Sequence, residues 1–195
     1  MDSITVVVSR YNKNVDFVNK FPSDVKICVY DKENPKNPYN VPVNKGNEAS
    51  AFLKYILDHY ENLPEFTYCI HDEEYSWHHS GSIIEKFFEA LHSNKLYYNV
   101  NHLILGSIID NKECVEWFDQ YIRPYFNINS DCDWTVGNRG CAQFLVHKSR
   151  ILRLPKKFYE DIYVWLITTD LTSYFSSRYL EWTWHVFWDD KYELK

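Results

Sequence analysis

The chain reads as an α/β protein, a mostly parallel, twisted sheet with helices on both faces. Three observations predict it. Mostly apolar runs recur at Ile4–Val8, Val25–Tyr30, Phe66–Ile70 and Cys141–Val146, and the continuous β-branched run at Ile4–Val8 is of the kind that belongs to a strand buried on both sides. Stretches with apolar residues at helical spacing separate several of them. The alternation of strand and helix is the rhythm of a doubly wound sheet. At 195 residues the expectation is one domain spanning 1–195.

Each element has a local cause. Ile4–Val8 is the central parallel strand, and Ser9–Asn12 is the turn that leaves it. Asn14 is placed to cap a short helix carrying Val15, Phe17 and Val18. Val25–Tyr30 is the second strand, and Asp31–Lys45 holds three prolines and several Asn, so it is loop. Asn47 is read as the cap of an amphipathic helix with Ala51, Phe52, Tyr55 and Ile56 on one face. Leu63 and Pro64 end that helix before the strand Phe66–Ile70. Ser82–His92 follows as helix, His102–Ile109 is apolar enough for a strand, and Cys114–Tyr121 is a short helix. Arg123–Arg139 is irregular, with a turn at Gly137–Gly140. Cys141–Val146 is a late strand, and Phe158–Thr168 and Arg178–Trp188 are aromatic-rich helices that cover the sheet.

Composition narrows the classes of function. The net charge is −6 with no long basic run, which argues against nucleic-acid binding through clustered Lys and Arg. No apolar stretch approaches the roughly 20 residues that span a bilayer, and Ile4–Val8 is too short for a signal peptide. A soluble, intracellular (cytoplasmic) protein without a membrane span is the expectation, and the oligomeric state stays open. Aromatics make up 18% of the chain, and such rings fill cores and also line sugar- and base-binding clefts. The five cysteines (Cys28, Cys69, Cys114, Cys132 and Cys141) are odd in number and lack C-x-x-C spacing, so free thiols are expected, with Cys28 and Cys69 buried. A Cys132–Cys141 pair is the alternative in an oxidising compartment.

The chemistry concentrates in His71-Asp-Glu-Glu-Tyr-Ser-Trp-His-His79. Three carboxylates and three imidazoles follow the end of a strand, where open α/β folds place their sites. Oxygen ligands with imidazole suit Mn²⁺ or Mg²⁺, and Zn²⁺ is disfavoured because no cysteine joins them. The bland alternative is a solvated polar loop. A second constellation lies near the C-terminus, where Glu181 and His185 stand four apart among Leu180, Trp182, Trp184 and Phe187. On one continuous helix they share a face. Buried among aromatics, both need partners, and a metal or substrate would serve; a surface Glu–His pair is the alternative.

Several of these stretches together resemble a domain-of-unknown-function family found in fungi, bacteria, algae and large-genome viruses. They are Val6–Asn12, Gly46–Ala49 with Tyr55, Ile56, Leu63 and Pro64, His71 with Ser76–His78, Cys141–Val146 with Ile151, Phe158 and Tyr159, and Arg178, Glu181, Trp184 and His185. More distantly the layout resembles the GT-A glycosyltransferases. That resemblance implies a metal-dependent transfer of a sugar from a nucleotide-sugar donor to an unknown acceptor. By position it assigns Asp72 and Glu74, in a D-x-E version of the D-x-D motif, and His185 to the metal, and Glu181 to the catalytic base. Substrate contacts are further expected at Arg10, Asn12, Glu48, His71, Trp77, His78 and Trp184: Arg10 is placed for phosphate, Trp77 and Trp184 offer flat faces for a sugar or base, and His71 and His78 are additions to the GT-A pattern. Alternatives are a metal-dependent hydrolase of phosphate esters or sugar nucleotides, and a non-catalytic binding module. Convergence of His71, Asp72, Glu74 or His78 with both Glu181 and His185 in one cleft, with Arg10 on its rim, is the geometric expectation.

Overall fold

A computed structural model describes residues 3–108, 110–128 and 134–195. Five strands form one open sheet: β1 (Ile4–Arg10), β2 (Lys26–Asp31), β3 (Phe66–His71), β4 (Tyr97–Asn99) and β5 (Phe144–His147), in the order β2-β1-β3-β5-β4. β1 pairs in parallel with β2 and β3, whereas β5 is antiparallel to both β3 and β4. Four strands therefore share a direction and the late strand opposes them, which makes the sheet mixed. The carboxyl ends of β1, β2 and β3 lie side by side, with Ser9 opposite His71 and Arg10 opposite Asp31. Because β5 runs the other way, the residues just before it, Cys141–Gln143, reach the same edge.

Strand alternation sends Val7, Cys28, Cys69, Phe144 and Val146 to one face and Val6, Val8, Tyr68, Ile70 and Leu145 to the other. The first face carries most of the helical mass, with α1 (Asn47–His59), α3 (Lys112–Tyr121), α5 (Lys156–Thr168), α6 (Ser173–Glu181) and α7 (Trp184–Trp188) all contributing to its core. On the second face lie α2 (Ile83–His92) and a 3-10 turn at Asp16–Lys20. α4 (Lys148–Leu152) follows β5 directly. Helices thus cover both faces. Among the described residues no helix is long and apolar enough to cross a membrane.

Several local expectations change. Residues 102–108 form no strand among the described residues beyond an isolated bridge from Ile104 to Arg139; the edge strand is β4, earlier in the chain. The expected helix Arg178–Trp188 is two helices. Thr183 Oγ1 donates to the carbonyls of Tyr179 (2.8 Å) and Leu180 (3.3 Å), and such back-bonding competes with helix continuation. At α1 the capping position falls on Gly46 and not Asn47, and both take positive φ (68° and 46°). A Cβ on Gly46 would stand 2.5 Å from Leu166 Cγ, so the position combines a left-handed backbone with a close approach of α5. Gly46→Ala is expected to destabilise the fold by more than the roughly 1 kcal/mol that such strain alone costs, measured by urea unfolding.

Cys28, Cys69, Cys114 and Cys141 are free and buried. Cys132, and with it the alternative pairing to Cys141, lies outside the described residues.

Candidate functional site

A cleft with two connected lobes opens at the shared carboxyl edge of β1, β2 and β3. The first lobe, about 280 Å³, is walled by Ser9 and Tyr11 after β1, Lys32 after β2, Glu48 at the start of α1, and His71, Asp72 and Glu73 after β3, with Lys13 at its side. The second, about 190 Å³, lies between α1, α6 and the loop after β3, and is walled by Glu48, His71, Trp77, His78, Tyr174 and Glu181, among others. Asn47, Glu48 and His71 belong to both walls and mark the boundary.

Backbone geometry fixes the first lobe. The Tyr11 amide donates to Asp72 Oδ2 (2.8 Å), which ties the turn after β1 to the turn after β3. Lys32 Nζ donates to the Asn47 carbonyl at the start of α1. Burial lowers its pKa to about 8, against the pull of Glu48 and Asp72, which favour the ammonium. Lys13 pairs with Glu73 at the solvent-exposed mouth, where such a pair contributes little to stability. With three carboxylates against two lysines, this lobe has an excess of acid groups.

In the second lobe burial dominates. The Glu181 pKa is pushed up to about 8, first by desolvation and then by repulsion from Glu48, while Arg178 and a hydrogen bond with Ser177 pull it down. Glu48 is also raised, by burial and by Asp72, so together the two carboxyls hold a proton beyond the ordinary carboxylate range. A short chain of hydrogen bonds orients Glu181: Asn47 Nδ2 donates to Ser177 Oγ (2.9 Å), and Ser177 Oγ donates to Glu181 Oε1 (3.4 Å). His71 is held by its backbone amide donating to Gln143 Oε1 (3.2 Å), and its Nε2 stands 3.9 Å from Glu48 Oε2. Burial lowers the His71 and His78 pKa values to about 4, so both rings are neutral near pH 7. His71 Nε2 and His78 Nδ1 are buried without hydrogen-bond partners.

The structure brings together Asp72, Glu48, His71, His78, Trp77 and Glu181, although Asp72 and Glu181 are a hundred residues apart in the chain. It does not bring the others into the cleft walls. Glu74, an expected metal ligand, is drawn to Lys20 (2.5 Å) and to the hydroxyl of Ser82 (3.0 Å), which caps α2. His185, the expected late ligand, lies in a separate pocket with Tyr97, Asn99, Arg139 and Asp189, and its Nε2 donates to the Trp134 carbonyl (2.5 Å). Trp184 is fully buried, stacked on Trp188 and packed against Phe144, so it is core and not substrate wall. Arg10 stands behind the first lobe, donating to Asp31 Oδ2 (2.7 Å) and the Lys13 carbonyl (2.9 Å). Asn12 takes a positive φ in the turn and its amide donates to Glu33 (2.8 Å).

Sequence reasoning passed over Lys13, Lys32, Asn47, Ser177 and Tyr174. Two had signals: Lys32 is the first residue beyond β2, where strand ends meet the cleft, and Ser177 stands one helical turn before Glu181.

Among the described residues no three His, Cys, Asp or Glu side chains are gathered to hold a metal ion by themselves. Mg²⁺ commonly needs only one or two carboxylates when substrate phosphates complete its shell. The acid excess of the first lobe fits that mode, with Asp72 and Glu48 as the carboxylates, and it does not fit a closed protein cage.

The family described as "Protein of unknown function (DUF3431)" matches residues 5–102 and 106–194. That is nearly the whole chain, and the chain belongs to this family. No curated protein and no solved structure matches it.

Proposed function

We propose that this member of the DUF3431 family transfers a glycosyl group from a nucleotide-diphosphate sugar to an acceptor hydroxyl, in the manner of the GT-A enzymes its sequence distantly resembles. The observation that carries the reading is Glu181. It is a helix-borne carboxyl with a pKa near 8, set beside a separate polar lobe at the carboxyl ends of parallel strands. Strand ends of open α/β sheets are where ligands of this class bind, and a base poised near neutrality is what hydroxyl activation needs.

In this reading the donor diphosphate lies in the first lobe, where Lys13 and Lys32 contact its oxygens. Asp72 and Glu48 would hold Mn²⁺ or Mg²⁺ there together with the phosphates, and the ion would offset the charge on the leaving diphosphate. The acceptor enters the second lobe. Its hydroxyl gives its proton to Glu181 as its oxygen bonds to the anomeric carbon, and the electrons of the broken sugar–phosphate bond leave with the diphosphate. Asn47 and Ser177 keep Glu181 turned toward the acceptor.

The test is a thermal-shift screen of UDP- and GDP-sugars with and without Mn²⁺. A donor at about a hundredfold excess over its Kd should add roughly 2.7 kcal/mol of stability. Lys32→Met and Asp72→Asn should abolish the shift. No shift with any nucleotide sugar, with or without the ion, overturns the reading. A pH signature accompanies it. Lys32 loses its charge as pH rises through about 8, weakening the hold on phosphate, while Glu181 becomes a base above about 8. Turnover is expected to follow a bell centred near pH 8, and a flat profile between pH 6 and 9 would count against both roles.

A further inference from the structure

Two exposed rings, Trp77 and Tyr174, stand in the wall of the lobe that contains Glu181. Trp77 is 65% exposed, in a chain whose other tryptophans are largely buried, and Tyr174 is 57% exposed. Each is braced by a neighbour. Trp77 leans on the His78 ring (3.9 Å between centroids), and the Arg178 guanidinium lies 3.6 Å from the centre of the Tyr174 ring. Held rings with so much free surface offer flat faces whose negative charge favours the C–H bonds of a ligand.

The polar groups around them ask for hydroxyl donors. His71 Nε2 lines this lobe without a hydrogen-bond partner, 3.9 Å from Glu48 Oε2, and can meet a ligand hydroxyl. The carboxyls of Glu48 and Glu181 add further acceptors, and His78 Nδ1 also has no partner. A phosphate brings only acceptors and negative charge, which a wall of acceptor groups with no free cation disfavours. Lys13 and Lys32 are in the other lobe, and Arg178, the only Lys or Arg in this wall among the described residues, lies over the Tyr174 ring and beside Glu181. A nucleobase has a flat face but few donors. A sugar ring has an apolar C–H face together with several hydroxyls, each able to donate or accept. The volume, about 190 Å³, is below the roughly 300–1,000 Å³ of drug-sized pockets and suits a single ring.

We infer that this lobe is a carbohydrate subsite that takes one uncharged pyranoside ring against Trp77 and Tyr174, with its hydroxyls on His71 and Glu181. Calling that ring the acceptor rests on the transferase reading; its binding does not.

The experiment is saturation-transfer NMR on the full chain, with a panel of methyl glycosides of glucose, galactose, mannose, xylose and N-acetylglucosamine. Uridine, adenosine and n-butylamine serve as rivals. At least one glycoside should receive saturation at its ring C–H protons and keep doing so when pyrophosphate is added. Trp77→Ala and Tyr174→Ala should each weaken it at least tenfold; both side chains are exposed, so neither change threatens the fold. Binding by none of the glycosides, binding unchanged in both variants, or displacement by a nucleoside or the amine overturns the proposal. Glycoside binding that meets these terms supports it even where the nucleotide-sugar screen is negative, and only the transferase reading then fails.

Discussion

Glu181→Gln is expected to make the protein more stable at pH 8 and to abolish the glycosyl transfer proposed for it. The two effects have one origin. In the folded protein the Glu181 pKa lies near 8, well above the roughly 4.3 of a glutamate in an unfolded chain. Between those values the folded state binds a proton that the unfolded state has released. The stability that Glu181 contributes in its protonated form is therefore full below about pH 4.3 and is lost as pH rises through 8. Glutamine, nearly the same shape and never charged, escapes that loss. Wild type and variant should unfold alike at pH 4, and the variant should be ahead by on the order of 2 kcal/mol at pH 8, once partial solvent screening is allowed for. Urea titrations at the two pH values measure it. The same substitution removes the proposed base, a role worth roughly 10²–10⁴ in rate. Equal stability at pH 8 would mean that Glu181 ionises like an exposed carboxylate and lacks the poise assigned to it.

How the site came to be legible is clearest from its two halves. The stretch after Phe66–His71 announced itself because ionisable groups crowding at a strand end have no use in a core. Glu181 was legible for a different reason, being a carboxyl among aromatic residues on a helix that had to be buried. The apolar runs located β1, β2 and β3, but they carried no direction. That β5 runs antiparallel follows from which edge its neighbours occupy, a matter of the whole sheet and not of any local stretch. Lys13 and Lys32 look like any surface lysines in sequence. What makes them part of the cleft is the side-by-side arrangement of strand ends, to which no single segment testifies. Glu74 misled because likeness to a D-x-D motif assigned it to the metal by position alone; Lys20 and Ser82 claim it instead.

His185 is the sharper case, and it leads to the second large effect. The four-residue spacing from Glu181 places two side chains on one face only while the helix continues. Here α6 ends at Glu181, Thr183 turns back onto the preceding carbonyls, and α7 sets off from Trp184 on a new course. His185 goes with α7 into the core, 3% exposed, with Nε2 on the Trp134 carbonyl. His185→Ala should therefore behave as a core truncation, leaving a void and a buried carbonyl without its donor. Together these cost roughly 2–5 kcal/mol, a fall in Tm of about 5–15 °C for a domain of this size. Acid response should change as well. Burial holds the His185 pKa near 4, below the usual value of about 6.5, so the stability tied to its neutral form is present above 6.5 and is lost as pH falls through 4. The variant, already without that contribution, should lose less on acidification from pH 7 to 4. Nucleotide and Mn²⁺ responses at the cleft should persist in the variant at temperatures where it is folded. A variant that kept wild-type stability but lost a Mn²⁺ response shown by the wild type would return His185 to the proposed metal site and overturn its assignment to Asp72 and Glu48 alone.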